Sequence, residues 1–274
     1  NINKSSGPDM LHPKFLYELR YLLIKPITKL FNISLASSSV PQDWKDAVIS
    51  PLFKKGSKFN CENYRPVSLT CSIGKMLESL LKGKIVEHLD KYEIIKNSKH
   101  GFMRGRSCLT NLLDFFEMVT RGLDKGNQID VVHLDFCKAF DKVPYNRLFK
   151  KIEAHGIGGK VLYWVINWLS NRRQQVSINK INSNFQNVTS GVPQGSVLGP
   201  VLFLIYINDL DLNIDSKINK FADDTKLCKL INSIQDRNEL QKDLDKLFDW
   251  SQEWQMQFNS DKCSVIHLGR NNNK

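Results

Sequence analysis

The chain has no apolar run long enough to cross a bilayer. Its longest, Val197 to Ile207, falls short of the ~18 residues that a spanning helix needs. Its first residues, Asn1-Ile2-Asn3-Lys4, lack the apolar core of a secretory leader, and there is no internal repeat or low-complexity tract. The six cysteines, at 61, 71, 108, 137, 228 and 263, form no Cys-x-x-Cys pair and have no histidine at zinc-finger spacing. They read as reduced, mostly buried thiols of an intracellular protein. The six histidines form no metal spacing either. Acidic residues are the minority charge, 28 Asp and Glu against 39 Lys and Arg, which leaves +11 and suits a polyanionic partner through counterion release. A membrane span, a secreted disulfide scaffold and a zinc module are thereby set aside. An initiator Met is also missing, so the chain reads as a fragment of something longer.

What is present is the composition of a folded protein. With 274 residues, 41% hydrophobic and 10% aromatic, the chain suits one large domain or two small ones. Helical spacing covers residues 13 to 36, with Pro26 a kink or break, then 73 to 92 and a segment that Ser107 can cap. Residues 47 to 53 and 64 to 69 read as strands of a hairpin with a basic tip, Lys54-Lys55-Gly56-Ser57-Lys58. A β-branched strand spans 129 to 136, helices span 145 to 155 and 159 to 170, and a hairpin joins 174 to 178 with 185 to 189. A buried helix over 197 to 210 leads to short strands, 218 to 222 and 225 to 230, flanking Asp223-Asp224. An amphipathic helix over 234 to 254 presents Leu240, Leu244, Leu247 and Phe248, and a last strand covers 264 to 268. Irregular alternation with hairpins predicts α+β with an antiparallel sheet. The tryptophan pairs 164/168 and 250/254 read as core.

Two features suggest chemistry. Asp135 ends an apolar strand, and Asp223-Asp224 sit between two others. Carboxylates beside buried strands repel one another and favour a cation, and all-oxygen donors suit Mg²⁺. Taken singly, Asp-Asp is also a common turn dipeptide and Asp135 a helix cap.

The surroundings carry a family resemblance. Ser190 to Pro200, reading Ser-Gly-Val-Pro-Gln-Gly-Ser-Val-Leu-Gly-Pro, resembles the motif before the palm helix of reverse transcriptases, and Phe221-Ala222-Asp223-Asp224 resembles their catalytic box. Leu134-Asp135-Phe136-Cys137-Lys138-Ala139-Phe140-Asp141 is similar to their first catalytic strand. Lys4 to Asp9, Asn63 to Leu69 and His100-Gly101-Phe102 resemble the opening and fingers motifs of the non-LTR (LINE-type) branch. Thr189 to Leu210 with His267 to Asn272 resembles its chicken-repeat/jockey-like group.

The resemblance implies a right-hand polymerase: fingers and palm, with an antiparallel palm sheet backed by helices. Residues 1–128 would be mainly fingers and 129–274 mainly palm within one continuous domain, with thumb and endonuclease absent. It implies an RNA-directed DNA polymerase that takes dNTPs, an RNA template, a DNA primer and their hybrid. Asp135, Asp223 and Asp224 would hold two Mg²⁺ ions, with Mn²⁺ as a substitute and the Phe136 carbonyl assisting. Phe140 falls where the family has an aromatic gate against the 2′-hydroxyl, and Asp141 is expected to be structural. Gln194 and Gly195 would lie along the nucleotide and template base. Arg65 with Lys54 or Lys55 would grip the triphosphate, and Lys262 would protonate the leaving pyrophosphate. Where the family has Gly-Phe-Arg this chain has Gly101-Phe102-Met103, so a fingers contact to the template is expected to be either altered or carried by Arg104 or Arg106. Nucleus and cytoplasm are the expected compartments, with no membrane contact. The rival expectation is a non-catalytic nucleic-acid-binding scaffold from a decayed or domesticated element.

Overall fold

The computed structural model describes residues 2–3, 5–96, 98–102, 105–270 and 272. The motif positions Lys4, Met103, Arg104 and Asn271 lie outside the described residues. The chain forms two compact units interleaved in sequence, one from residues 1–92 and 145–202, the other from 93–144 and 203–274.

The elements begin with α1 (Pro13–Glu18), α2 (Arg20–Ser37), α3 (Gln42–Lys45), β1 (Ala47–Phe53), β2 (Tyr64–Leu69) and α4 (Ser72–Lys91). Next come α5 (Cys108–Asp124), β3 (Gln128–Leu134), α6 (Ala139–Lys142), α7 (Tyr145–Ala154) and α8 (Gly159–Leu169). The remainder comprises β4 (Arg172–Ile178), β5 (Ile181–Asn182), β6 (Gln186–Val188), α9 (Gly199–Tyr206), β7 (Lys217–Phe221), β8 (Asp224–Ile231), α10 (Ile234–Glu253) and β9 (Ser264–Leu268). No described helix is long and apolar enough to cross a membrane.

In the first unit the strand order is β2-β1-β4-β5, with β6 also on β4. The β1–β2 hairpin pairs from Val48↔Leu69 to Phe53↔Tyr64, and β4 joins β1 in parallel. Ile178 and Ile181 pair across a two-residue turn, where Asn179 and Lys180 take the left-handed conformation that such turns require. Helix α8 packs against α2, α3 and α7, with Trp164 and Trp168 buried and stacked, and the Trp164 indole N–H donates to Ser34 Oγ at 2.9 Å.

Residues 13 to 36 break at Leu19, and Pro26 lies inside α2. The Arg20 guanidinium donates to the Tyr17 carbonyl at 2.8 Å, which satisfies a helix-end acceptor where the chain turns. The expected apolar face is only partly used, since Phe15, Leu22 and Leu30 are exposed.

The second unit holds the antiparallel sheet β7-β8-β3-β9. Helix α5 packs on β3 and β7, joining Val119 to Ile129, Val131 and Cys228 in one apolar cluster. Ser107 caps α5 in a reciprocal box with Thr110. Along α10, Leu240 and Leu247 are buried, but Phe248 is 59% exposed. Asp243 is buried instead and accepts from the Ser216 amide at 2.8 Å and Lys246 Nζ at 3.1 Å. The cysteines also depart from expectation, because only Cys71 and Cys228 are buried. Burial pushes both thiols up to about 12, with the Asp9 hydrogen bond adding to the rise at Cys71.

Candidate active site

Strand register brings the acids of the second unit together. Antiparallel pairing of Leu134 with Thr225 places the next residue of one chain segment, Asp135, beside the preceding residue of the other, Asp224. Phe221 pairs with Asp224, so Ala222 and Asp223 form a two-residue hairpin turn, and Ala222 accepts φ 55° to close it. Asp223 is half-buried and Asp224 exposed. Burial holds the Asp223 carboxyl above the ordinary range. The Asp224 and Asp135 carboxylates lift it further, against its own backbone amide and the Lys262 ammonium.

Lys262 donates to Asp135, and that hydrogen bond holds the lysine above its ordinary range. Residues 135–137 are fixed by the loop before β9. The Asn259 amide donates to the Asp135 carbonyl at 2.7 Å, and the Cys137 amide to the Gln257 carbonyl at 2.8 Å. Phe136 and Phe258 therefore bridge as a non-hydrogen-bonded pair with rings stacked at 4.6 Å, and the Phe136 carbonyl points away from that loop. Phe140, on α6, stacks on Phe203 at 4.5 Å and meets the edge of Phe102 at 6.2 Å.

Among the described residues no group of three or more His, Cys, Asp and Glu side chains is placed so that together they could hold a metal ion. The donors still fit Mg²⁺, which takes one or two carboxylates and completes its octahedron with water and phosphate. The Asp224 and Asp135 carboxylates beside Asp223 are negative charge that Lys262 answers only in part, the kind that a cation would relieve.

The other sequence-derived residues belong to the first unit. The Lys54 amide donates to the Asn63 carbonyl at 2.9 Å, which extends the β1–β2 register by one pair. With Leu52 opposite Arg65, two-residue alternation sets Lys54 rather than Lys55 on the Arg65 face. The Gln194 carbonyl accepts from the Ser68 amide at 2.7 Å. Gly195 has φ 113°, and a β-carbon there would lie 2.6 Å from the Ser68 carbonyl oxygen. The close approach that this glycine permits is to β2.

Two buried clusters escaped sequence reasoning. Glu78, on α4, accepts from the Val197 and Leu198 amides at 2.7 and 3.2 Å and anchors the approach to α9. Lys220, on β7, is 1% exposed and pairs with Asp211 at 2.9 Å. Ser98 donates to the same carboxylate at 2.5 Å, and Lys96 lies 3.2 Å from it. Burial would raise Asp211, but Lys220, Ser98 and Lys96 outweigh it and hold the carboxyl at about 2. Burial lowers Lys220 to about 8 despite the pair, so the solvent this lysine loses outweighs the partner it gains. The sequence offers little signal for it, because β7 reads Lys-Ile-Asn-Lys-Phe and nothing local marks Lys220 as the buried one. Around it, the His100 amide donates to the Lys220 carbonyl and the Lys220 amide to the Ser98 carbonyl, both at 2.9 Å, and Arg106 donates to the Lys99 carbonyl at 2.5 Å.

Comparison with known proteins gives a consistent result. The family model described as reverse transcriptase (RNA-dependent DNA polymerase) matches residues 53–272. The chain is 28% identical to the RNA-directed DNA polymerase from mobile element jockey of Drosophila melanogaster, over 97% of this chain and 30% of the relative. It is 30% identical to the probable RNA-directed DNA polymerase from transposon X-element of the same fly, over 96% of this chain and 30% of the relative. The chain thus spans about 30% of the length of these curated relatives. Among solved structures, apo telomerase from Candida tropicalis, truncated from its C-terminal domain, matches with TM-score 0.62 at 12% identity, covering 97% of this chain and 58% of that one. At that identity the likeness shows the fold, an α+β right-hand polymerase architecture.

Proposed function

This chain belongs to the reverse transcriptase (RNA-dependent DNA polymerase) family, and from that premise we propose that it is the catalytic fingers and palm of a non-LTR retrotransposon polymerase, copying RNA into DNA. Residues 1–128 would be mainly fingers and 129–274 mainly palm, working in the nucleus and cytoplasm. The observation that carries the reading is the meeting of Asp135, Asp223 and Asp224 at the end of one antiparallel sheet. A scaffold has no use for three mutually repelling acids.

Asp135, Asp223 and Asp224, with the Phe136 carbonyl, would hold two Mg²⁺ ions. Bound there, the ions would supply Lewis-acid stabilisation of the attacking primer 3′-oxygen and the leaving pyrophosphate. The chain's own groups do the rest. Lys262, hydrogen-bonded to Asp135, would hold a proton for the leaving group. Phe140, held between Phe203 and Phe102, restricts room beneath the sugar and favours deoxynucleotides. Arg65 forks onto triphosphate oxygens with Lys54 as a point charge on the same hairpin face, and Gln194 and Gly195 lie along the nucleotide. Template and hybrid are held through the backbone and A-form shape, with little sequence preference.

Primer extension on an RNA template tests this. Incubation with dNTPs and Mg²⁺ should lengthen a DNA primer, and a chelator should stop it. Tight hybrid binding with no product at any Mg²⁺ or Mn²⁺ concentration would favour the non-catalytic scaffold.

A further inference from the structure

Among the described residues the most exposed large apolar side chain is Phe59, whose ring is fully open to solvent. It stands in the turn between β1 and β2, in the run Phe53-Lys54-Lys55-Gly56-Ser57-Lys58-Phe59. Lys54, Lys55 and Lys58 in the same turn and Arg65 on the strand that follows are all exposed, and Glu62 is the one acid between residues 53 and 65.

The turn is built rather than loose. Asn63 Nδ2 donates to the Ser57 carbonyl, the Glu62 amide to Asn60 Oδ1 and the Tyr64 hydroxyl to the Lys58 carbonyl, each at 2.9 Å. Gly56 takes φ 86°, and a β-carbon there would come within 2.7 Å of Asn63 Nδ2. Beneath, Phe53 and Tyr64 meet edge to face at 5.4 Å, and Lys58 Nζ sits 5.7 Å above the Phe53 ring.

A fixed backbone that presents an uncovered ring among cations loses little freedom on binding. An apolar protein pocket would take the ring but leave the surrounding lysines unanswered. Single-stranded nucleic acid answers both, with a π-face on every base and a phosphate between each pair. A duplex does not, because its bases are already stacked.

We propose that Phe59 is a stacking platform for an unpaired nucleobase, with Lys55 and Lys58 on the adjoining phosphates, so that the hairpin tip is a binding site for single-stranded RNA or DNA. This rests on the proposed nucleic-acid function and adds to it a contact made by the first unit, which does not carry the catalytic acids.

The test is binding, by anisotropy, of a labelled single-stranded oligonucleotide, an abasic strand of equal length and charge, and a blunt duplex. Phe59→Ala should weaken the base-bearing strand on the order of 5- to 100-fold and leave the abasic strand unchanged, while Phe59→Trp should retain the preference. Lys55→Ala should weaken both strands and flatten their salt dependence. If the wild-type chain binds the single strand and Phe59→Ala binds it equally well, or loses the abasic strand to the same degree, the platform is refuted while the polymerase reading stands. Failure of the wild-type chain to bind any of the three overturns both.

Discussion

A β-carbon added to Gly101 would lie 2.5 Å from the amide nitrogen of Ala222, so the backbone after Lys99 rests directly on the turn that carries Asp223. The family-like His100-Gly101-Phe102 motif therefore has a local physical reason. Its glycine lets one segment brace another, and its phenylalanine meets Phe140.

Gly101→Ala should displace the turn. Overpacking of this kind costs about 1–3 kcal/mol, and primer extension should fall further than hybrid binding does. Thermal denaturation beside an extension assay checks this. A variant of reduced stability with an undiminished extension rate would show that the contact supports the fold without positioning the acid.

Lys220→Met should leave Asp211 buried at 7% side-chain exposure with its nearest cation gone. Breaking a buried pair from one side costs about 3–5 kcal/mol, whereas removing both charges is often close to neutral. Urea denaturation should show Lys220→Met much less stable than wild type, and Lys220→Met with Asp211→Leu restored by most of that loss. Equal destabilisation of the single and double variants would contradict the pairing.

Glu78 carries a pH dependence. Burial holds its carboxyl above the ordinary value of 4.5, although the Val197 amide, Arg172 and the Leu198 amide pull the other way. A group whose folded pKa is raised contributes its full stability below its unfolded pKa and loses it as pH rises through the folded one. Glu78→Gln keeps an acceptor for both amides without titrating. The stability of wild type relative to this variant should be greatest below pH 4.5 and decline toward neutrality. A difference that stays constant with pH would mean that Glu78 does not titrate differently on folding.

Phe140→Ala removes a ring stacked on Phe203 and should raise ribonucleotide use relative to deoxynucleotide use. The ratio of the two kcat/KM values measures it. An unchanged ratio in a folded variant would make Phe140 packing alone.

Much of this was legible because the signals were local. Short, Pro-punctuated extended runs on either side of a basic turn marked the β1–β2 hairpin, and the last strand runs Ser264–Leu268 as the sequence suggested. Asp135 and Asp223-Asp224 stood out as acids at the ends of apolar strands. What escaped depends on partners distant in sequence. Leu19 rather than Pro26 breaks the first helical segment, where Arg20 takes a carbonyl. Asp243 displaces Phe248 from the buried face of α10 because Ser216 supplies its amide. The parallel pairing of β1 with β4 and the Lys220–Asp211 cluster join residues whose sequence neighbours say nothing of one another.

The most direct test of the central claim compares wild type with Asp223→Asn in primer extension on an RNA template across an Mg²⁺ titration, with hybrid binding measured on the same samples. Wild type should give Mg²⁺-dependent product. Asp223→Asn should give no product but unchanged or slightly tighter hybrid binding, because a negative charge facing phosphate is gone. Extension by folded Asp223→Asn at close to the wild-type rate would overturn the assignment of Asp223 to the catalytic site.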